Sequence, residues 1–479
     1  MNSGLVSTIT QPRQPHVVVY PFPFQSHVNT MLRLAELLCL AGLRITFVIS
    51  EYNHTRLARN ADTHPRLSAS YGKDFVYKVV QDGIDGDATR TEETIRTVHS
   101  KYRDDVRSLF QELNEALPVT CIVADGYMTF SIDTAEELGI PLIVFRLIGP
   151  RCFWVYYNIP RMIEAGELPI MGEDGMERLV QSVPGMEGIV RGRDLPSFCR
   201  VTDISDPALQ TIITQTIQTP RAQALVFNTF EKLDASVLAH VQKHCHKIYT
   251  VGPLHKHLES RLTRISSERG QVPFNSFWHV DRSCLDWLDK QPPRSVIYVS
   301  FGSVTMMTRE QLMEFWHGLA NSRERFLWVI RPESVAGYEQ GSEPVELKRA
   351  IEERGYMVGW APQEEVLEHN AVGAFLTHNG WNSTLESIAA GVPMLCWPYF
   401  ADQQLNSRVV SEEWKIGLDM KDVCDREVVQ RMVQDLMVDW KEEFLKSSRE
   451  MAIAAKEAVS EGGSSWESLD SLIEDIKSM

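Results

Sequence analysis

The hydrophobic pattern of the chain switches between two periods. HVVVYPF (16–22), RITFVI (44–49), FVYKVV (75–80), CIVADG (121–126), PLIVFR (141–146), ALVFNTF (224–230) and KIYTVGP (247–253) are short, β-branched and apolar on successive residues. Runs of that kind predict strands buried on both faces. Between several of them, as at 28–40, 92–117 and 130–138, apolar residues recur at helical spacing. Strands alternating with helices predict a parallel sheet covered on both sides. After Pro253 the pattern lapses: HKHLESRLTRISSERGQVPFNSFWHV is polar, mixed in charge and aperiodic, and reads as an irregular linker or surface loop. Alternation resumes with SVIYVSFGS (295–303), a helix over 308–323, FLWVIRP (326–332), YMVGWAP (356–362), AVGAFLTH (371–378) and VPMLCWP (392–398). A final helix is predicted from the spacing of Trp466, Leu469, Leu472, Ile473 and Ile476.

A chain of 479 residues is too long for one ordinary core. The expected architecture is α/β, with two doubly wound parallel-sheet domains facing across a cleft. The expected limits are 1–253 and 279–460, a linker at 254–278, and a C-terminal helix at 461–479 returning to the first domain. In such folds ligands bind where the carboxyl ends of strands meet the next helices.

Charge narrows the partners. The chain has 48 basic and 64 acidic residues, a formal net charge of −16. Such a surface has no long-range attraction for nucleic acid or an anionic bilayer, so a small apolar organic partner fits better. Eight cysteines lie at 39, 121, 152, 199, 245, 284, 396 and 424, with no C-x-x-C pair and several inside apolar runs. They read as buried free thiols in a reducing compartment. The first fifteen residues lack a basic start followed by an apolar stretch, and no run reaches the ~18–20 apolar residues of a bilayer span. A cytoplasmic protein without stable membrane insertion is expected, with a monomer as the default.

Candidate chemistry concentrates between Trp360 and Gln403, WAPQEEVLEHNAVGAFLTHNGWNSTLESIAAGVPMLCWPYFADQ. His378-Asn379-Gly380-Trp381-Asn382-Ser383-Thr384 reads as a strand end, a glycine turn and a helix start. A helix N-terminus offers backbone N–H groups and the positive end of a dipole, which suits a diphosphate. Gly380 admits close backbone approach, Asn382 and Ser383 add donors, and His378 can donate to a phosphate oxygen. Trp360 offers a flat face for a base, a contact worth ~1–3 kcal/mol. Glu386, one turn into the helix, can accept from ribose hydroxyls. Asp402 and Gln403 supply an acceptor and a donor for sugar hydroxyls.

These 44 positions resemble, without a gap, the plant secondary product glycosyltransferase signature of the family 1 UDP-glycosyltransferases, and the rest of the chain follows the same layout. The resemblance implies the GT-B fold of two Rossmann-like domains, with the UDP-sugar on the C-terminal domain and the acceptor on the N-terminal one. It implies an inverting reaction with no cofactor and no metal. It further implies that Trp360 stacks on uracil, that the Ala361 backbone pairs with its edge, and that Gln363 and Glu386 hold the ribose. His378, Asn382, Ser383 and Ser303 would take the diphosphate, and Trp381, Asp402 and Gln403 the sugar. Gln403 as the last signature residue implies glucose.

In the N-terminal half, Pro21-Phe22-Pro23-Phe24-Gln25-Ser26-His27 links the first strand to the first helix. His27 at a helix start is a candidate general base, and Asp125 at another strand end a candidate partner that orients it. Both match the family's catalytic pair. The family's Q-G-H-x-x-P reads Gln25-Ser26-His27 here, with Thr30 in place of Pro, and Ser26 is expected to cap the helix. Leu147 stands where the family often has Thr. Arg146 with the downstream Phe-Trp pair resembles a subgroup acting on iridoids and other terpenoids. Phe153, Trp154, Tyr156 and Phe198 are expected to line an apolar acceptor pocket, with Arg146 or Arg151 able to admit a carboxylate.

Three features suggest other chemistry. Asp85-Gly86-Asp87 has the D-x-D form used by metal-dependent transferases but reads as a polar turn. His244-Cys245-His246 and His255/His257 fit no standard zinc spacing. No G-x-G-x-x-G follows a strand and no G-x-S-x-G is present, which opposes a nicotinamide dehydrogenase and a serine hydrolase. The expected function is transfer of glucose from UDP-glucose to a hydroxyl or carboxyl of a small secondary metabolite such as a terpenoid, iridoid or phenolic. The alternatives are a catalytically weak UDP-sugar binder, or the same transfer from another UDP-sugar.

Overall fold

The computed structural model describes residues 13–60, 63–81, 92–265, 278–331, 334–335 and 345–479. Among the described residues, thirteen strands form two all-parallel sheets. The first holds β1 (His16–Tyr20), β2 (Arg44–Ser50), β3 (Phe75–Val80), β4 (Cys121–Asp125), β5 (Leu142–Arg146), β6 (Ala224–Phe227) and β7 (Ile248–Thr250) in the order β3-β2-β1-β4-β5-β6-β7. The second holds β8 (Val296–Ser300), β9 (Arg325–Val329), β10 (Gly355–Val358), β11 (Val372–Thr377), β12 (Met394–Cys396) and β13 (Gly417–Asp419) in the order β10-β9-β8-β11-β12-β13. This is the expected doubly wound pair.

Each sheet reverses its direction of winding once, between β1 and β4 in the first and between β8 and β11 in the second. At such a reversal the following helices leave on opposite faces and open a crevice beyond the strand ends. His27 and Asp125 follow or end the first pair of strands. The Phe301–Ser303 turn and His378–Trp381 follow the second pair.

The strands form where expected because their β-branched residues are buried on both faces: Val17, Val18 and Val19 are fully buried, with Val17 and Val19 packing on one side of the sheet and Val18 on the other. Local signals set helix ends as well. Thr308 caps the helix Arg309–Ser322, its hydroxyl accepting from the Gln311 N–H at 3.2 Å while the Gln311 side chain returns to the Thr308 N–H.

The irregular segment expected after Pro253 is corrected in its first part: Leu254–Ile265 is a helix, and 266–277 lie outside the described residues. Leu254 and Leu258 sit in the core beneath the first sheet with Leu469, Leu472, Ile473 and Ile476 of the last helix, Ser464–Ser478. Only one narrow stripe is apolar, so local periodicity is weak. All eight cysteines are free thiols, seven of them buried. Among the described residues no helix is long and apolar enough to cross a membrane.

Candidate active-site cleft

A cleft of about 1530 Å³, continuous with solvent, lies between the strand ends of the two sheets. On the N-terminal side the helix Gln25–Leu40 starts straight after the turn from β1. Phe24 occupies the cap position and no side chain caps the helix, so the expected capping by Ser26 does not occur; Ser26 is already its second residue. His27 therefore falls in the first turn and lines the cleft. Its Nδ1 lies 2.7 Å from Oδ2 of Asp125. That carboxylate is fully buried and accepts the backbone N–H groups of Phe22 (3.1 Å) and Tyr127 (2.9 Å). Two amides fix the carboxylate, the carboxylate fixes the ring, and Nε2 is the nitrogen left for a ligand. Phe22, Phe24 and Tyr127 set their rings 5.7, 6.2 and 5.6 Å from the imidazole.

On the C-terminal side, Gly380 caps the helix Trp381–Ala390 without any side-chain bond, so its first N–H groups face the cleft uncapped. His378 is the residue after β11. Burial, reinforced by the nearby Arg331 guanidinium, lowers it to about 4 and keeps the ring neutral. Two glycines bracket its Nε2: a Cβ would lie 2.5 Å away if added at Gly302 and 2.7 Å away if added at Gly380. Ser303 follows Gly302 on the cleft wall.

Trp360 lines the cleft and stacks on Trp278 at 4.7 Å, with Ala361 beside it. Gln363 donates from Nε2 to Oε2 of Glu386 (2.7 Å) and to Oγ of Ser383 (2.9 Å). Burial, followed by repulsion from Glu364, pushes the Glu386 carboxyl up to about 7. Glu364 in turn pairs across the cleft with Arg33 of the first helix.

Asp402 is buried and for that reason raised to about 6, with Asn406 donating to it at 2.8 Å. Oε1 of Gln403 accepts the N–H groups of Tyr399 and Phe400, both at 2.8 Å, which leaves its amide nitrogen as the group that can donate into the cleft. The Trp381 indole donates to the Asn228 carbonyl at 2.8 Å and packs against Gly149, joining the two halves. Asn382 donates to Thr30 Oγ1 (2.8 Å) and to the Ser26 carbonyl (3.2 Å), so the Thr found in place of Pro ties the helix bearing His27 to the helix at the opposite wall.

The structure thus brings His27, Ser303, Trp360, Ala361, Gln363, His378, Gly380, Trp381, Asn382, Ser383, Glu386, Asp402 and Gln403 to one cleft, with Asp125 directly behind His27. Asn379 is the exception. It is fully buried at φ +58°, and its carbonyl accepts from Asn406 at 2.9 Å, so it shapes the turn instead of lining the cleft.

The acceptor wall needs a larger correction. Phe153, Trp154 and Tyr156 are core residues with at most 2 % exposure, because the helix Pro150–Tyr157 is buried against the first sheet. Among the described residues the apolar walls come from Phe22, Phe24, Tyr127, Leu147, Ile148, Phe198 and Phe400. Neither arginine lines the cleft. Arg146 is buried, donates to the Gln215 carbonyl (2.9 Å) and to Thr219 (2.6 Å), and is lowered by burial to about 10. Arg151 is paired with buried Asp234 at 3.0 Å and with Glu413 at 2.7 Å. Removing one partner of such a pair leaves an uncompensated charge, so Arg151→Met should lower folding stability by about 3 kcal/mol in denaturant titration. An unchanged midpoint would show that the pair is dispensable.

Sequence reasoning missed Arg33, Glu364 and Tyr298. A cation on the buried stripe of the first helix was the available signal for Arg33. Cys245 and His257 are buried, and His257 Nδ1 bonds the Val251 carbonyl at 2.9 Å. Among the described residues no three His, Cys, Asp or Glu side chains cluster to hold a metal. Asp85-Gly86-Asp87 lies outside the described residues.

Comparison with known proteins finds relatives along nearly the whole chain. Residues 280–449 match the family described as UDP-glucoronosyl and UDP-glucosyl transferase. The chain is 53% identical to 7-deoxyloganetic acid glucosyltransferase of Catharanthus roseus, over 97% of this chain and 98% of that one. It is 39% identical to 7-deoxyloganetin glucosyltransferase of Gardenia jasminoides, over 98% and 99% of the two chains. Among solved structures, Os79 from O. sativa in complex with UDP superposes with a TM-score of 0.79 at 28% identity, covering 96% of this chain and all of that one.

Proposed function

The chain belongs to the UDP-glucoronosyl and UDP-glucosyl transferase family, and from that premise we propose that it moves glucose from UDP-glucose onto a hydroxyl of an iridoid-type aglycone. It is a UDP-glycosyltransferase; the acceptor, the residue roles and the metal-free mechanism are the proposal. The observation that carries it is the His27–Asp125 pair, 2.7 Å apart, opening onto the same cleft as the uncapped helix at Trp381.

In this reading the acceptor lies among the apolar walls with its hydroxyl at Nε2 of His27. The ring takes the proton as the acceptor oxygen attacks the anomeric carbon, and Asp125 stabilises the imidazolium that forms. The bond to the UDP oxygen breaks on the opposite face, so an α-linked donor gives a β-glucoside. Charge developing on UDP meets the helix N-terminus, His378, Asn382, Ser383 and Ser303. These are hydrogen-bond donors and not the carboxylates that hold a divalent ion, which favours a reaction without metal. Trp360 and Ala361 would take the base, Gln363 and Glu386 the ribose, and Trp381, Asp402 and Gln403 the sugar. A dyad so firmly oriented opposes a non-catalytic UDP-sugar binder.

The acceptor class follows the two relatives, whose names give 7-deoxyloganetic acid and 7-deoxyloganetin, and the apolar cleft walls accommodate such a body. The test is UDP release from UDP-glucose in EDTA, with 7-deoxyloganetic acid, 7-deoxyloganetin, a flavonol and a simple phenol offered separately. Turnover with an iridoid is expected. Turnover confined to the phenolics would overturn the acceptor class, and loss of activity in EDTA would overturn the metal-free mechanism.

The same reading predicts a pH dependence for nucleotide binding. With its carboxyl at about 7, Glu386 is protonated in the empty protein below that pH. Ribose hydroxyls favour the carboxylate, so UDP binding displaces the proton, and affinity should rise by up to about tenfold per pH unit until about pH 7, then level off. Calorimetric titration of UDP-glucose, whose esterified phosphates do not titrate in this range, from acid to mildly alkaline pH checks this, and Glu386→Gln should flatten the profile. A wild-type profile without slope would remove Glu386 from the ribose site.

A further inference from the structure

The loop that carries Asp402 and Gln403 is held in an uncommon shape by the opposite half of the molecule. Ala401, immediately before them, has φ +56°, in the left-handed region where an L side chain is disfavoured. Within the loop, Oε1 of Gln403 accepts from Tyr399 and Phe400, but both backbone groups of Ala401 are held from the other half. Ser197, in the short helical turn Ser197–Cys199 of the N-terminal half, bonds Ala401 at both ends. Its Oγ accepts the Ala401 N–H at 2.8 Å, and its own N–H donates to the Ala401 carbonyl at 2.9 Å. The neighbouring rings also meet, Phe198 edge-on to Phe400 at 5.2 Å.

The segment bearing Ser197 is itself fastened to the C-terminal half. Asp194 meets Lys421 at 3.0 Å, Arg200 meets Asp422 at 3.1 Å, and the Ile189 carbonyl accepts from Arg408 at 2.9 Å. One wall of the acceptor side, Phe198, therefore rides on the same body as the loop facing the sugar. We propose that Ser197 is a positioning residue for the donor sugar: through its paired bonds to Ala401 it holds Asp402 and Gln403 in the orientation that engages the glucosyl group. The proposal rests on the reading of this cleft as a UDP-glucose site. It makes sugar positioning depend on an N-terminal residue that touches neither nucleotide nor sugar.

The experiment compares wild type, Ser197→Ala and Ser197→Thr in two measurements. One is the calorimetric affinity for UDP, which lacks the sugar. The other is kcat/KM for UDP release from UDP-glucose, with 7-deoxyloganetic acid or with water alone as acceptor. Losing the hydroxyl strands a backbone N–H, so Ser197→Ala should lower kcat/KM by about tenfold while the Kd for UDP stays within about twofold. Ser197→Thr keeps the hydroxyl and should recover most of the loss. Glycine adopts positive φ without strain, so in an Ala401→Gly background the Ser197→Ala loss should shrink to about threefold or less.

Equal losses in UDP affinity and in kcat/KM would mean a merely structural role and would overturn the proposal, as would an unchanged kcat/KM. Wild type that neither binds UDP nor releases it from UDP-glucose would overturn the reading of the cleft itself.

Discussion

Exchange of His27 for Ala is expected to lower the rate of sugar transfer about a thousandfold and to leave UDP affinity unchanged. The magnitude lies within the 10²–10⁴ range for a positioned general base. It sits at the middle of that range and not at its lower end because His27 is oriented so completely. Asp125 is fully buried, is anchored by two backbone amides and holds Nδ1 at 2.7 Å, while three aromatic rings confine the imidazole. The other candidates on the cleft wall are engaged or weak: Glu364 pairs with Arg33, Glu386 and Asp402 accept from Gln363 and Asn406, and His378, lowered to about 4, is a poor base.

UDP affinity should not move because the proposed nucleotide contacts all lie on the C-terminal half. Asp125→Asn is the companion variant. An amide keeps an oxygen for Nδ1–H but withdraws the charge that stabilises the imidazolium, so it should lose catalysis while preserving the ring's place. Initial rates at saturating donor, with UDP calorimetry alongside, decide the matter. If the His27→Ala protein transferred glucose at a near-normal rate, the base would have to be found elsewhere.

What the sequence made legible was the part set by contiguous chemistry. The central strands read from β-branched runs, such as His16–Tyr20, Cys121–Asp125 and Leu142–Arg146, are buried along their whole length, and a strand buried on both faces cannot hide its composition. The order of motifs then located the site, since a strand end followed by a glycine turn and a helix start is a local event. Legibility ended where long-range packing decides. Gly417–Asp419 is a strand of three residues whose only sheet partner is β12, too short to carry a period.

The helix after Pro253 sets Leu254, Leu258 and Leu262 against the core and buries His255 and His257 beside them, so its inner face is half polar and sits amid a run of charges. Phe153, Trp154 and Tyr156 look like a binding wall in the sequence, yet the helix they occupy has no solvent face to spare. Arg146 and Arg151 could be drawn toward an acceptor carboxylate only until Thr219, Asp234 and Glu413 were seen around them, between 73 and 262 residues further along the chain. Ala401 is the strongest case: nothing about an alanine announces a positive φ, and its partner lies 204 residues away.

Gly302→Ala should be nearly as damaging as loss of the base, for a reason that is purely steric and conformational. Gly302 sits at φ +76° in the turn between β8 and the helix Arg309–Ser322, where an L side chain costs about 1–2 kcal/mol. The added Cβ would lie 2.5 Å from Nε2 and 2.6 Å from Cε1 of His378, inside any allowed contact. The ring can escape only into the cleft, where the diphosphate would sit. It is half-buried at the cleft wall, it follows directly on β11, and Gly380 brackets it from the other side with only 2.7 Å to its own hypothetical Cβ. Either the Phe301–Ser303 turn or His378 must shift, and both stand where the diphosphate would meet the uncapped helix start.

Removing one preorganised donor from a site of developing charge costs about 10²–10³ in rate. Here one substitution disturbs Ser303 and His378 together, so kcat/KM for UDP-glucose should fall about a thousandfold, roughly 4 kcal/mol. UDP affinity should fall with it, in contrast to the His27 variant. Gly359→Ala is the matched control. It adds the same methyl beside Trp360, its φ is not in the left-handed region, and its Cβ would meet nothing within 4 Å. That variant should bind UDP as the wild type does. A Gly302→Ala protein that melted normally and bound UDP with unchanged affinity would show that the glycine bracket around His378 does not form the diphosphate site.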